Sequence, residues 1–524
     1  MHDPEVILGL LVAVASLAWV ANRVRVPYPI LLTIGGLVIS LIPGLPQTII
    51  LRPDLVFLLF LPPLLYYAAL RTSWRDFRAN IRPIATLATG LVLFTILAVA
   101  GAAHWLMGMS WPAGFVLGAI VSPTDAVAAT SILQRMRVPR LIVTILEGES
   151  LVNDATALVA YRFAVAAIVG GTFSFFSASG HFIEVVAGGI GVGLIAGVII
   201  VWVRQHLYDE AVENVVSLLA PYFAYLPAEW IGVSGVLAVV TAGIYISRRL
   251  GRITTARVRL RAYAVWDVVI FLLEGLVFIL VGLQVSHVLH TVQAGSELSV
   301  FGVPLLICIV AIAARLIWVI GATYATRFLG IERLRVRGPI PPFSQVFLAG
   351  WTQMRGVVSL AAALALPITV GNDIAFPDRD RIIFVTFIVI FVTLVLQGLT
   401  LPAVIRLLRI KTGTDESADE EVTARYLAAL AAIERLDALG ANAPSAVAAL
   451  QRLRAEYDDR IAYYIRRMNP DGNEVMSCDR AEDVERQAIS AQREMLLRLR
   501  DQGVIGDEVL RQIEHELDLE ESGL

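Results

Sequence analysis

Apolar residues in this chain recur in blocks about twenty residues long, and each block is enough to cross a roughly 30 Å hydrocarbon layer as a helix. Reading the blocks between charged or Gly/Pro-rich breaks gives about thirteen spans, centred near Val14, Gly36, Leu61, Thr95, Ala126, Ala155, Leu194, Leu219, Ala238, Phe278, Ala313, Ser359 and Thr393. Over 524 residues the chain is 57% hydrophobic and 17% charged, with a mean hydropathy of +0.72, which excludes a soluble enzyme. The fold class expected is an all-α polytopic membrane protein. Pro123 and Gly356 fall inside spans, where they loosen a helix rather than end it. Broken helices at that depth are tolerated only under cover of protein or water.

The arginines orient the bundle. Arg23 and Arg25 follow the first span, Arg71, Arg75, Arg78 and Arg82 the third, Arg135, Arg137 and Arg140 the fifth, and Arg204 the seventh. Arg248 to Arg261 follow the ninth and Arg327 to Arg337 the eleventh, so every odd-numbered exit is basic. Positive charge stays inside, which places the N-terminus outside the cell (inner) membrane and the C-terminus in the cytoplasm. Asp3 and Glu5 stand where a secretory signal would be basic, so no cleaved leader is expected.

The net charge of −3 conceals two opposite parts. In 1–410 Lys and Arg outnumber Asp and Glu by 28 to 20, whereas in 411–524 the order is 14 to 25. The expected division is therefore a transmembrane domain over 1–410 and an acidic, helical cytoplasmic domain over 411–524. Helical periodicity marks 422–439, 446–467, 481–500 and 507–518. The balance does not imply nucleic acid. Two cysteines, Cys308 and Cys478, are too few and too scattered for a disulfide framework or a metal site. No cofactor is expected.

A charge deep in a membrane costs about 2.5 to 3.5 kcal/mol on insertion scales, so buried ionisable residues mark a pathway or an internal pair. Here they are Asp125 in VSPTDAVAAT, Glu147, Glu149 and Asp154 in LEGESLVNDATALV, Asp267 and Glu274, and the cations Arg162, Arg315 and Arg355. Ser150 and Asp154 are four residues apart, as are Glu149 and Asn153, which puts hydroxyl, amide and carboxylates in one helical neighbourhood. Pro123 precedes Thr124 and Asp125, so a local break would free carbonyls beside a hydroxyl and a second carboxylate. Hard oxygens suit alkali cations, and no His/Cys cluster favours a transition metal. The combined pattern is that of a dehydrated cation site.

The TD of the fifth span, GESLVNDAT of the sixth, EGLVFILVGLQ of the tenth and GWTQMRGVVSLAAALALP of the twelfth resemble the cation/proton antiporters of the sodium/proton exchanger type, in their bacterial branch, over residues 5–410. That resemblance implies two inverted repeats, two crossed and partly unwound helices, a dimerisation domain and a homodimer in the bilayer. It implies that Asp154 binds the cation or a proton, with Thr124, Asp125, Ser150 and Asn153 as ligands or supports of a Na⁺ (or K⁺ or Li⁺) site. Asn153, where electrogenic relatives carry a second Asp, implies one-for-one exchange, and Asp125 leaves a second titratable group beside it. Glu149 and Arg355 resemble a buried ion pair joining the sixth and twelfth spans. Glu274 and Arg315 also occupy family-like positions, open between scaffold pairing and transport. Tyr67 stands where many relatives have an acid, which leaves it either a hydroxyl donor or packing.

Competing readings are few. Asp154 neutralised by Arg162 or Arg355, and Asp125 as a local helix cap, are the structural alternatives. Neither H-E-x-x-H nor G-x-G-D nor a P-loop occurs, against an intramembrane protease or an ATP-driven pump. A passive cation channel would use the same acids. The sequence therefore predicts a secondary antiporter serving pH and cation homeostasis, with Na⁺ for H⁺ as first choice and K⁺ for H⁺ as second.

Overall fold

The computed structural model describes residues 3–24, 26–42, 53–136, 138–170, 175–207, 209–291, 297–328, 341–370, 374–410, 416–440 and 447–468, with isolated residues from 490 onward. It divides into two compact units, Met1–Thr412 and Gly413–Leu524. In the first unit α1 (Asp3–Val24), α2 (Tyr28–Ser40) and α3 (Pro53–Arg71) are followed by the short α4 (Trp74–Ala79). One apolar segment, Ile81–Met107, is α5 (Ile81–Ala85) and α6 (Val92–Met107) joined by a π-helical stretch. Next come α7 (Trp111–Val121), α8 (Ala126–Arg135), α9 (Arg140–Gly170), α10 (Phe175–Gln205), α11 (Glu210–Ile231), α12 (Gly235–Ile253), α13 (Ala256–Thr291) and α14 (Glu297–Phe328). The unit ends with α15 (Phe343–Trp351), α16 (Val357–Leu364), α17 (Arg379–Val392) and α18 (Gly398–Leu407).

Local chemistry sets the ends of these helices. α6 and α11 stop at Gly108 and Gly232, whose φ of 66° and 83° suit a residue without Cβ. Ser110, Asp209 and Ser234 then accept hydrogen bonds from the free N–H groups that open α7, α11 and α12. Among the described residues six segments are long and apolar enough to cross a membrane, Arg140–Gly170 and Gly302–Tyr324 among them. On α10, Ile195 and Trp202 are 63% and 60% exposed, a face suited to lipid rather than water. The chain is a multi-pass membrane protein. All thirteen predicted centres fall on helices, with Ala126 and Ser359 just past interruptions.

Two features depart from an all-helical expectation. Thr369–Val370 and Ile374–Ala375 pair as a small antiparallel ladder, and π turns occupy Thr86–Leu91 and Thr393–Gln397. Of the basic exits, Arg25, Arg137, Arg333, Arg335 and Arg337 lie outside the described residues.

Among the described residues the buried apolar side chains form two large clusters. One joins α6–α9, the middle of α13, α14 and α15–α18. The other joins α3, α10–α12 and the earlier part of α13, and it takes Leu151 and Ala155 from α9. Asp154 thus lies on the seam, since Ala157 and Tyr161 of the same helix belong to the first cluster. Alongside, α2 and α13 touch backbone to backbone: a Cβ on Gly36 would come within 2.2 Å of the Ile279 carbonyl, and one on Gly282 within 2.1 Å of the Thr33 carbonyl.

In the second unit α19 (Glu416–Gly440) and α20 (Val447–Met468) pack antiparallel. Arg454 pairs with Asp437 and the Thr423 hydroxyl reaches Met468 Sδ at 3.9 Å. These helices contain the predicted stretch 422–439 and nearly all of 446–467. The stretches 481–500 and 507–518, and Cys478, lie almost wholly outside the described residues.

Candidate functional site

The polypeptide unwinds between α7 and α8 at 122–125 and between α15 and α16 at 352–356, and these two breaks cross. The backbone N–H of Asp125 donates to the Met354 carbonyl at 2.7 Å. Gly356 lies so close to Asp125 that a Cβ there would sit 2.0 Å from Oδ2. Pro123 explains the first interruption, because it has no N–H for a helical ladder.

Each break strands carbonyl groups at the end of a half-helix, and an arginine from another segment answers each one. Arg355 Nε donates to the Val121 carbonyl, the last of α7. Arg315, from α14, donates through Nε and Nη2 to the Ala349 carbonyl near the end of α15, at 3.3 and 3.2 Å. Arg315 also forks onto Glu149, with Nη2 at 2.7 Å from Oε2 and Nη1 on Oε1. Both side chains of that pair are 2% exposed. The expected pairing of Glu149 with Arg355 is therefore corrected: Arg315 takes Glu149, while Arg355 is drawn to the C-terminus of α7, where Pro123 leaves the chain's orphan acceptors.

Thr124 extends the network across the first break. Its hydroxyl donates to Glu149 Oε1 at 3.2 Å and accepts from Asn153 Nδ2 at 2.9 Å, and the same Nδ2 donates to the Thr124 carbonyl at 3.1 Å. Asn153 is fully buried and its Oδ1 has no partner among the described residues. This side chain is a brace tying α9 to the break.

Asp154 is buried at 6% exposure and, among the described residues, makes neither a hydrogen bond nor an ion pair. The two arginines that were alternatives for neutralising it are engaged elsewhere: Arg162 Nη2 donates to Glu229 on α11 at 2.7 Å, and Arg355 as above. Ser150, half-buried, lies one turn earlier on α9. Asp125, Thr124, Asn153 and Asp154 thus gather at the crossing.

Other predicted residues lie elsewhere. Glu274 is buried on α13 and accepts from the Tyr28 hydroxyl. Tyr67 donates to Asp267, accepts from Arg71 Nη1 at 2.9 Å and stacks on Trp266. Tyr67 is thus engaged by Asp267, Arg71 and Trp266 near the C-terminal end of α3, the packing arrangement, and none of these partners belongs to the two breaks. Sequence reasoning missed Tyr28, for which the signal was faint: a tyrosine opening α2 just after a basic exit.

Comparison with known proteins places this architecture. The family described as "sodium/hydrogen exchanger, transmembrane" matches residues 9–407. A Mycobacterium tuberculosis protein named as an uncharacterized Na⁺/H⁺ exchanger is 36% identical over 99% of this chain and 97% of its own length. A Bacillus pumilus protein, named as a sodium, potassium, lithium and rubidium/H⁺ antiporter, is 36% identical over 76% of this chain and 61% of its own. Among solved structures, the sodium/proton antiporter MjNhaP1 of Methanocaldococcus jannaschii superposes with a TM-score of 0.61 at 22% identity, covering 77% of this chain and 97% of that one, and so shares the fold.

Proposed function

Because the chain belongs to the sodium/hydrogen exchanger family, we propose that it is a secondary antiporter that exports a cytoplasmic monovalent cation, Na⁺ in the first instance, against entry of H⁺. The observation that carries this reading is the buried Asp154 carboxyl, set beside the crossed breaks with no arginine upon it. Asp154 and Asp125 are the charged ligands, with Ser150 in reach. Thr124 and Asn153 hold the break in shape.

The mechanism follows from the energetics of a lone carboxylate. Facing the cytoplasm, Asp154 exchanges its proton for a cation; facing outward, it exchanges the cation for a proton. An empty, ionised Asp154 carries an unpaired charge into a low-dielectric seam, and that penalty of several kcal/mol enforces coupling. Residue 153 is a neutral amide with its donors already used, so it adds no second carboxylate beside Asp154 on α9; with Asp125 keeping its charge throughout, the exchange is one cation per proton. The position of Asp154 between two packed clusters supports alternating access, one cluster moving against the other. The same reading has thirteen crossings in inverted repeats, the N-terminus outside, a cytoplasmic tail from residue 411 and a homodimer.

K⁺ in place of Na⁺ is a second reading, favoured by the broad cation range in the name of the Bacillus pumilus relative. Hard-cation sites separate such ions by cavity size more than by ligand type. In everted vesicles, Asp154→Asn is expected to abolish cation-driven proton movement for every ion of a Na⁺, K⁺ and Li⁺ series. Normal exchange in that variant would sink the assignment.

A further inference from the structure

Asp154 shares one face of α9 with Leu158 and Arg162, which follow it at steps of one turn along a continuous helix. Leu158 packs against both apolar clusters, so it lies on the seam between them. Arg162 reaches across that seam. Its Nη2 donates to Glu229 Oε2 at 2.7 Å and to Oε1 at 3.0 Å, and Glu229 belongs to α11 of the second cluster. Arg204–Glu213 and Arg261–Glu210, by contrast, tie helices of the second cluster to one another, and Arg315–Glu149 ties helices of the first.

The position of the pair along the seam is set by the helices that carry it. Arg140 opens α9 in a basic exit, and Arg162 stands about 33 Å further along the helix axis, about 12 Å beyond Asp154. Glu229 likewise lies near the far end of α11, whose first residue, Glu210, pairs with Arg261 of another basic exit. Glu229 is a fixed post, because the Gly235 N–H in the first turn of α12 donates to Oε1 at 3.3 Å. When Arg162 withdraws, the carboxylate keeps that donor and the favourable end of a helix. The two side chains are 49% and 26% exposed, so their parting is cheap. Toward the other end of α9 the same face carries Glu147, two turns before Asp154, which among the described residues makes neither a hydrogen bond nor an ion pair.

We propose that Arg162 and Glu229 form the outer gate of the exchange cycle. Paired, they hold the seam shut above Asp154 while its carboxyl exchanges with the cytoplasm; parted, they let external protons reach it. Leu158, between Arg162 and Asp154, is the apolar plug that the pair keeps in place. Motion of one cluster against the other must break the pair, since each cluster carries one partner. A weak pair biases the cycle toward the inward-facing state without trapping it there, as a gate that opens in every turnover requires. Neither residue touches the cation, so both are positioning residues. The proposal rests on the alternating access and the membrane orientation proposed above.

The test uses the full-length protein with Leu158→Cys as reporter, labelled in intact cells by a membrane-impermeant maleimide and corrected for labelling of the parent chain. The rate is expected to rise about two- to fivefold when Arg162→Gln or Glu229→Gln is added, the scale of one partly exposed ion pair. With both substitutions together it is expected to be no faster than with the faster single one. In a separate variant, Arg162→Cys with Glu229→Cys, a short bis-methanethiosulfonate cross-linker is expected to stop exchange and a reductant to restore it. An unchanged rate in both single variants, or effects that multiply in the double variant, refutes the gate, as does a cross-linked protein that exchanges at the uncross-linked rate. Should Leu158→Cys not assemble, the cross-link decides the question. A response confined to the cytoplasmic face, seen in everted vesicles, would overturn the outer assignment together with the membrane orientation. Exchange surviving in Asp154→Asn would instead defeat the ion-site assignment, a separate outcome from any result at Arg162 or Glu229.

Discussion

Asn153→Asp is the substitution with which the geometry makes its sharpest demand. Asn153 Nδ2 donates both of its hydrogens, to the Thr124 hydroxyl at 2.9 Å and the Thr124 carbonyl at 3.1 Å. A carboxylate has no hydrogen to give, so two oxygens of Thr124 would face a third oxygen at the same spacing. A buried acceptor left unsatisfied costs about 1 to 3 kcal/mol, hence about 2 to 6 kcal/mol for the pair. The Thr124 hydroxyl offers one escape, since it is free to turn its hydrogen from Glu149 to the new carboxylate while Arg315 still holds Glu149. That leaves the carbonyl unmet and a cost of about 1 to 3 kcal/mol. A bound cation changes the sign, because the new carboxylate and both Thr124 oxygens are hard donors, and Na⁺ at a hundredfold its Kd contributes about 2.7 kcal/mol to stability. Thermal unfolding of purified protein should show the variant melting below the parent in cation-free buffer and recovering most of the difference in Na⁺. In reconstituted vesicles its exchange should gain a dependence on membrane potential that the parent lacks. A variant as stable as the parent without cation would refute the bracing role of Asn153.

Much of the fold was legible because membrane spans are long and repetitive: a twenty-residue apolar block leaves few alternatives, and Pro123 and Gly356 announced breaks where the chain does unwind. Part of the candidate site was legible as residue types, since polar side chains are costly to bury and Asn153, next to Asp154, does meet Thr124, next to Asp125. Partnership was not legible. Glu149 has two arginines available, and the choice turns on which half-helix end each can reach, a property of the crossing rather than of spacing along the chain. Arg355 is one residue past Met354, whose carbonyl meets Asp125, and so it is delivered to the α7 terminus. Arg315 comes from a separate helix and reaches Ala349 and Glu149 together. Tyr28 escaped notice for the same reason: its value lies in a contact 246 positions away, enforced by two glycines that let α2 and α13 touch.

Two further predictions follow from the crossing. Removing one member of the Glu149–Arg315 pair, as in Arg315→Gln, leaves a buried carboxylate without its guanidinium and should lower stability by about 3 to 5 kcal/mol. Glu149→Gln with Arg315→Gln together should lose clearly less than the sum of the single losses in a thermal-unfolding cycle, whereas additive losses would show that the two side chains do not act as a pair. Gly356→Ala tests the close approach of the second break to Asp125. The added methyl would lie 2.0 Å from Asp125 Oδ2 and 2.8 Å from Cγ, so the carboxylate must move away. The displacement should raise the cation KM severalfold while Asp154 keeps its proton chemistry and some exchange persists at saturating cation. If KM is unchanged and only the maximal rate falls, Asp125 is not a ligand and Gly356 matters for motion of the break instead.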